Sequence, residues 1–231
     1  MKRPALYVSI AFCILLFAGT AGAVSPVETA HFRVVANGQG LKAQDLKDVG
    51  DSVEGIYKEV SEAVGTGYTS SGKIEIRVYV TPENGRALRT AASASTIFLT
   101  LGRIDEGVLK HEITHILISK PLSTAPRWFH EGVAMYVENG DMKKVYHKAL
   151  PDFTDFSFTR LGAKFGAGKT EQSSYLYAWA IVSYVMDTYG KDKLKDIYKQ
   201  SGSFSDKFTK TFGVDLKTLE KKSGEIFAAY K

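Results

Sequence analysis

Hydrophobic and polar positions change their period along this chain, from alternation near its start to helical spacing over most of the remainder. Residues 31–36 (H-F-R-V-V-A) alternate as a strand does and stop at the turn pair Asn37-Gly38. Residues 41–64 put Leu46, Val49, Val53, Ile56, Tyr57 and Val60 on one helical stripe, which Gly50 and Gly55 weaken. Residues 73–80 (K-I-E-I-R-V-Y-V) alternate again and predict a half-buried strand; 96–100 (T-I-F-L-T) predict a short third one. From there the pattern is helical. Residues 108–119 carry no Gly or Pro, and Ile104, Val108, Ile116 and Leu117 have the spacing of a buried helix, which Pro121 ends. Residues 125–138 predict a second helix, with Pro126 in its first turn and Asn139-Gly140 as its stop. Further helices are expected over 172–189, 192–200, 205–212 and 216–230, punctuated by Gly190, Gly202 and Gly213. The whole reads as α+β: a small N-terminal sheet, then a helical C-terminal lobe.

The first 23 residues obey a different logic. Lys2 and Arg3 make a basic start, 5–18 is apolar with one Ser, and Ala21-Gly22-Ala23 has the form of an A-x-A cleavage signal. Residues 1–23 are therefore expected to be a secretory signal peptide cut after Ala23, giving a periplasmic or secreted protein with no stable membrane span. The single cysteine, Cys13, falls inside this segment, so residues 24–231 hold none and need no disulfide. Those 208 residues suit one domain, read as subdomains 24–119 and 120–231. Losing Lys2 and Arg3 lowers the formal charge from +5 to +3. Lys191, Lys193, Lys195, Lys221 and Lys222 are interleaved with acids and apolar residues, as on solvated helix faces, which argues against nucleic acid as a partner.

The strongest chemical signal lies in the helix at 108–119. His111-Glu112-Ile113-Thr114-His115 spells H-E-x-x-H, a pattern this composition would produce by accident roughly 0.006 times per chain. At 3.6 residues per turn, His111 and His115 lie about 40° apart on one face, so both imidazoles can reach one ion. Glu112 points roughly 100° away from His111, beside the ion, where it can take a proton from an activated water. Such an arrangement needs a third ligand and leaves a fourth position for water. Glu131 sits on the next predicted helix, which the short connection 120–124 makes a neighbour, and the small Gly132 and Ala134 beside it are expected to let that helix come close enough for the carboxylate to reach the ion. Glu138, two turns later on roughly the same face, and His130 are the other candidates.

H-E-I-T-H followed by W-F-H-E-G-V-A resembles the gluzincin metallopeptidases, most closely the bacterial peptidase-MA-like group. The resemblance implies a zincin-like fold in which His111, His115 and Glu131 hold Zn2+, Glu112 is the catalytic base, and the substrate is a peptide or protein. It also implies that the strand at 96–100 is the sheet edge beside the cleft, open to an extended peptide by strand addition. Residues 174–190 are similar to a later helix of the family, whose Tyr or His stabilises the oxyanion; Tyr175 falls on that position, with Tyr177 as runner-up. Two positions depart from the pattern. His130 stands where a small polar residue is common, and Met135 where an acid is common. Such an acid can hold a ligating His through its other ring nitrogen, so here a backbone carbonyl or another acid must serve. Two rival functions suit the same residues: a non-catalytic peptide-binding protein on this scaffold, and a zinc hydrolase of another amide or ester. The intact Glu112 favours the peptidase over the binding protein.

Weaker signals add little. Residues 162–170 (G-A-K-F-G-A-G-K-T) look like a phosphate loop, but Ala163 occupies the position that needs Gly. They are read as a flexible loop near the cleft. His31 and His147 are read as packed or solvated.

Overall fold

The computed structural model describes residues 24–67, 72–80, 91–93, 95–102, 105–139, 156–165 and 171–230. Residues 1–23, Ile104, His147 and 166–170, on which some of the expectations above fall, lie outside the described residues.

Three parallel strands, β2 (Phe32–Ala36), β3 (Ile74–Tyr79) and β5 (Thr96–Thr100), form the centre of a five-stranded sheet. The short strands β1 (Val27–Glu28) and β4 (Ala91–Ser93) run antiparallel along β2 and β5 respectively. Alternation sorts the central strands cleanly: Phe32, Val34, Ile74, Ile76, Val78, Ile97 and Leu99 are buried, while Arg33 and Arg77 face solvent. Helix α1 (Ala43–Val64) makes the crossover from β2 to β3 and buries the stripe read from the sequence. Gly50 has a packing reason to interrupt that helix. A Cβ there would fall 2.9 Å from Thr29 Cγ2, so the glycine lets α1 lie close to the sheet.

One expectation is corrected. β4 pairs on the outer side of β5, with Ser93 opposite Thr96, so β4 and not β5 is the edge strand. The two strands missed in the sequence are two and three residues long, too short for alternation to register.

The remainder is helical: α2 (Glu106–Ser119), α3 (Arg127–Asn139), α4 (Phe158–Lys164), α5 (Glu171–Tyr189), a 3-10 turn (Lys191–Lys193), α6 (Leu194–Ile197), α7 (Phe204–Phe212), α8 (Leu216–Lys221) and α9 (Ser223–Ala229). Helix α5 is the hub. Residues 176 to 182 of it are all buried, as only a helix surrounded by others can be. It packs on α3, α4 and α9, and α3 packs in turn on α2. The helix expected over 216–230 is two, broken at Lys222, and that over 192–200 is a 3-10 turn plus one α-turn. The loop expected from 162 onward is helical at its start: 162–164 belong to α4, whose cap Ser157 accepts from the Arg160 N–H and whose Leu161 is buried. Among the described residues no helix is long and apolar enough to cross a membrane. A small mixed sheet followed by helices is the α+β architecture expected from the sequence.

Candidate metal centre

Helix α2 starts at Asp105, whose carboxylate accepts from the Val108 N–H at 3.2 Å. It buries Leu109, Ile113, Ile116 and Leu117, so Ile116 and Leu117 face the core as expected while Val108 is only half-buried. His111 and His115 project from the half-buried side. Lys110 ties α2 back to α1 through Glu59 at 2.9 Å.

Helix α3 is fixed from two sides. Trp128 stacks on Phe158 at 4.4 Å, and Phe129 packs on Phe204 at 4.9 Å. Gly132 faces α5, where a Cβ would lie 2.5 Å from the carbonyl oxygen of Ala178. The small residue therefore serves the α3–α5 contact rather than the approach to α2 that the sequence suggested. With that side occupied, Glu131 turns towards α2 and is buried there.

The result is a triangle of donor atoms. His115 Nε2 lies 3.0 Å from His111 Nε2 and 3.1 Å from Glu131 Oε2, and the third side, His111 Nε2 to Glu131 Oε2, is 3.5 Å. Four bonds of about 2.0–2.1 Å in a tetrahedron place their corners roughly 3.3–3.4 Å apart. The triangle matches that to a few tenths of an ångström, and two imidazoles with a carboxylate suit a small borderline divalent ion. The residues present therefore fit a metal.

Two acids surround His111. Its Nδ1–H donates to Glu138 Oε2 at 2.9 Å, on the side of the ring away from Glu131. This is the acid that Met135 cannot supply, and it removes Glu138 from the candidate third ligands. Burial alone would lower the His111 pKa, but the carboxylates of Glu131 and Glu138 outweigh it and hold it at about 9. Burial alone would raise that of Glu131; the His111 and His115 rings reverse this and bring it below the usual carboxylate range. His130 is turned elsewhere. Its Nε2–H donates to the Leu122 carbonyl at 3.1 Å, and burial lowers its pKa.

The other named residues take varied places. Glu112 is half-buried, next to His111 on α2. Tyr175, near the start of α5, sets its ring edge-on to Phe165 at 5.3 Å and interacts with the guanidinium of Arg127. Arg127 Nε in turn donates to Glu131 Oε1 at 3.2 Å, so Tyr175 reaches the metal triangle through one intervening side chain. Arg127 was missed in the sequence, although its i, i+4 spacing from Glu131 was a signal. Tyr177 is core, packed on Phe227 at 4.7 Å. His31 pairs with Glu54 and stacks on Tyr57, both on α1, and is no part of the triangle.

No curated protein matches this chain. The family model of the Peptidase MA superfamily matches residues 92–228, a span that holds α2, α3 and α5 and with them every donor of the triangle. With more than half of its length matched in this way and its two histidines and glutamate converging as a metal site, the chain belongs to the Peptidase MA superfamily.

Proposed function

We propose that the chain is an exported zinc-dependent metallopeptidase that hydrolyses peptide bonds. The observation that carries this reading is the triangle of His111 Nε2, His115 Nε2 and Glu131 Oε2, with Glu112 beside it on the same turn of α2. Superfamily membership supports peptide or protein as the substrate class. The N-terminal pattern of 1–23 supports export.

His111, His115 and Glu131 would hold the ion. When bound, zinc lowers the pKa of a water and polarises the scissile carbonyl. Glu112 takes the proton of the attacking water and passes it to the leaving amine. Tyr175 donates a hydrogen bond to the oxygen that becomes negative in the transition state. Arg127 occupies Glu131 Oε1 and so leaves Oε2 as the atom facing the two histidines. The cleft would lie between the sheet subdomain 24–119 and the helical subdomain 120–231, and β4, the edge strand of the sheet, is the one that a bound peptide would extend.

Elemental analysis of the purified chain tests this, with Glu131→Ala alongside. The expected result is about one zinc per wild-type chain, mostly lost in the variant, and turnover of a mixed peptide pool that chelation stops and zinc restores. A wild-type chain that takes up no zinc would overturn the reading.

A further inference from the structure

We propose that Arg127 anchors the substrate: its guanidinium takes a carboxylate carried by the residue that follows the scissile bond. The inference rests on the metallopeptidase reading above and gives its peptide a chemical class.

Arg127 reaches from the metal triangle to solvent. Its Nε donates to Glu131 Oε1 at 3.2 Å, and the Arg127 side chain is 50 % exposed although Glu131 is buried. The guanidinium carbon lies 5.1 Å from the centre of the buried Phe165 ring, a cation–π contact, and the group also interacts with Tyr175. These contacts orient the guanidinium without burying it. Its five N–H donors lie in one plane that matches the two oxygens of a carboxylate, and the bond through Nε commits one of them. Oε1 and Oε2 belong to one carboxylate, so Arg127 stands a single ligand away from the corner where Oε2 meets the histidines. Successive Cα atoms are about 3.8 Å apart. A scissile carbonyl at the triangle therefore brings the next residue, with its terminal or side-chain carboxylate, to Arg127.

Two further observations point the same way. Arg127 is the first residue of α3, where a cation opposes the helix dipole, and the first turn holds no acid to offset it. Helix stability alone does not favour an arginine there. The charges around the triangle are also uneven. Glu112 and Glu138 flank His111, while Lys110 is turned to Glu59 and Glu106. A substrate carboxylate is repelled from that side and drawn to the start of α3, which sets the direction in which a peptide lies.

The plainer alternative is an arginine that only props Glu131. A ratio of rates separates the two, because losing a prop slows every peptide alike. One mixed peptide pool is made as C-terminal acids and again as C-terminal amides, and a second pair carries Glu or Gln at internal positions. Mass spectrometry follows their cleavage by the zinc-loaded chain. Wild type is expected to cut the carboxylate-bearing peptides with kcat/KM about 10–100-fold above their neutral partners, the range for a hydrogen bond to a charged group. Cuts at the last bond of the acids would name the chain terminus as the source, and cuts before internal Glu the side chain; either supports the anchor. Arg127→Gln should bring the ratio close to one, mainly through KM. Arg127→Lys should keep part of it, since the charge stays and the fork is lost. Zinc content is measured on the same samples, and Arg127→Lys carries the reading where Arg127→Gln loses the ion. Equal rates for acids and amides, and for Glu and Gln, in wild type would overturn the anchor and leave the peptidase standing. A wild-type ratio in Arg127→Gln, or in Arg127→Lys where that variant carries the reading, would reduce Arg127 to a prop. A zinc-loaded chain that cuts no pool would overturn the anchor together with the peptidase reading.

Discussion

A Cβ on Gly132 would fall 2.5 Å from the carbonyl oxygen of Ala178, so α3 and α5 meet there backbone to backbone. Backbone cannot rotate aside as a long side chain can. Gly132→Ala must therefore push the two helices apart, at about 1–3 kcal/mol, with a fall in Tm of roughly 2–4 °C per kcal/mol for a domain of this size. Glu131 is the adjoining residue, so zinc affinity should fall with it. Thermal melts and zinc titration of the same preparation check both effects; an unchanged melt would show that the helices have room to spare.

Glu112→Gln separates binding from chemistry. Glu112 is no corner of the triangle, so on the proposed mechanism the variant should bind zinc as wild type does while turnover drops by about 10²–10⁴-fold, the range for loss of a general base. Zinc content and peptide hydrolysis measured on one sample decide it. Turnover at the wild-type rate would remove Glu112 from the reaction.

Tyr175→Phe retains the ring that packs on Phe165 and deletes only the hydroxyl. If that hydroxyl serves the oxyanion, kcat should fall by about 10²-fold with KM little changed. An unaltered kcat would leave Tyr175 as the structural neighbour of Arg127 and nothing more.

Acid should loosen the N-terminal sheet through Glu54. Burial alone would raise its pKa, but hydrogen bonds from Thr29, the His31 ring and the His31 backbone N–H outweigh this and hold it below the ordinary 4.5. The unfolded chain then binds the proton more readily than the folded one. The stabilisation is present above about pH 4.5 and disappears as pH falls through the folded value. Glu54→Gln should flatten that part of the stability profile. Denaturant melts of both proteins from pH 6 down to about pH 3 measure it; parallel profiles would exclude the role.

The sheet strands and α1 were legible because their buried faces repeat with the period of the backbone, as Ile74, Ile76 and Val78 show. The histidine pair was legible for the same reason, since i, i+4 spacing is a property of one helix. Glu138 was not, because its place beside His111 depends on how far α3 is slid along α2, and no spacing within either helix encodes that register. The trace was there, an acid two turns from Glu131. The role of Gly132 was misjudged on similar grounds. A small residue signals a close neighbour without saying which, and here it is α5. β4 escaped because three residues cannot display a period.

His115 and Glu131 are only 16 residues apart, and His111 and Glu131 only 20. An ion bridging them would close a short loop between helices already locked by Trp128, Phe129 and the buried flank of α2. Closing a loop restrains the unfolded chain by an amount that grows slowly with its length, so little is gained from so short a span. Small domains that rely on an ion to fold lose their shape when it leaves. Here the scaffold is assembled by its hydrophobic interior, so an ion held by the triangle would be able to leave without dismantling it. That frees the ligand set to be shaped by reactivity instead of by cross-linking.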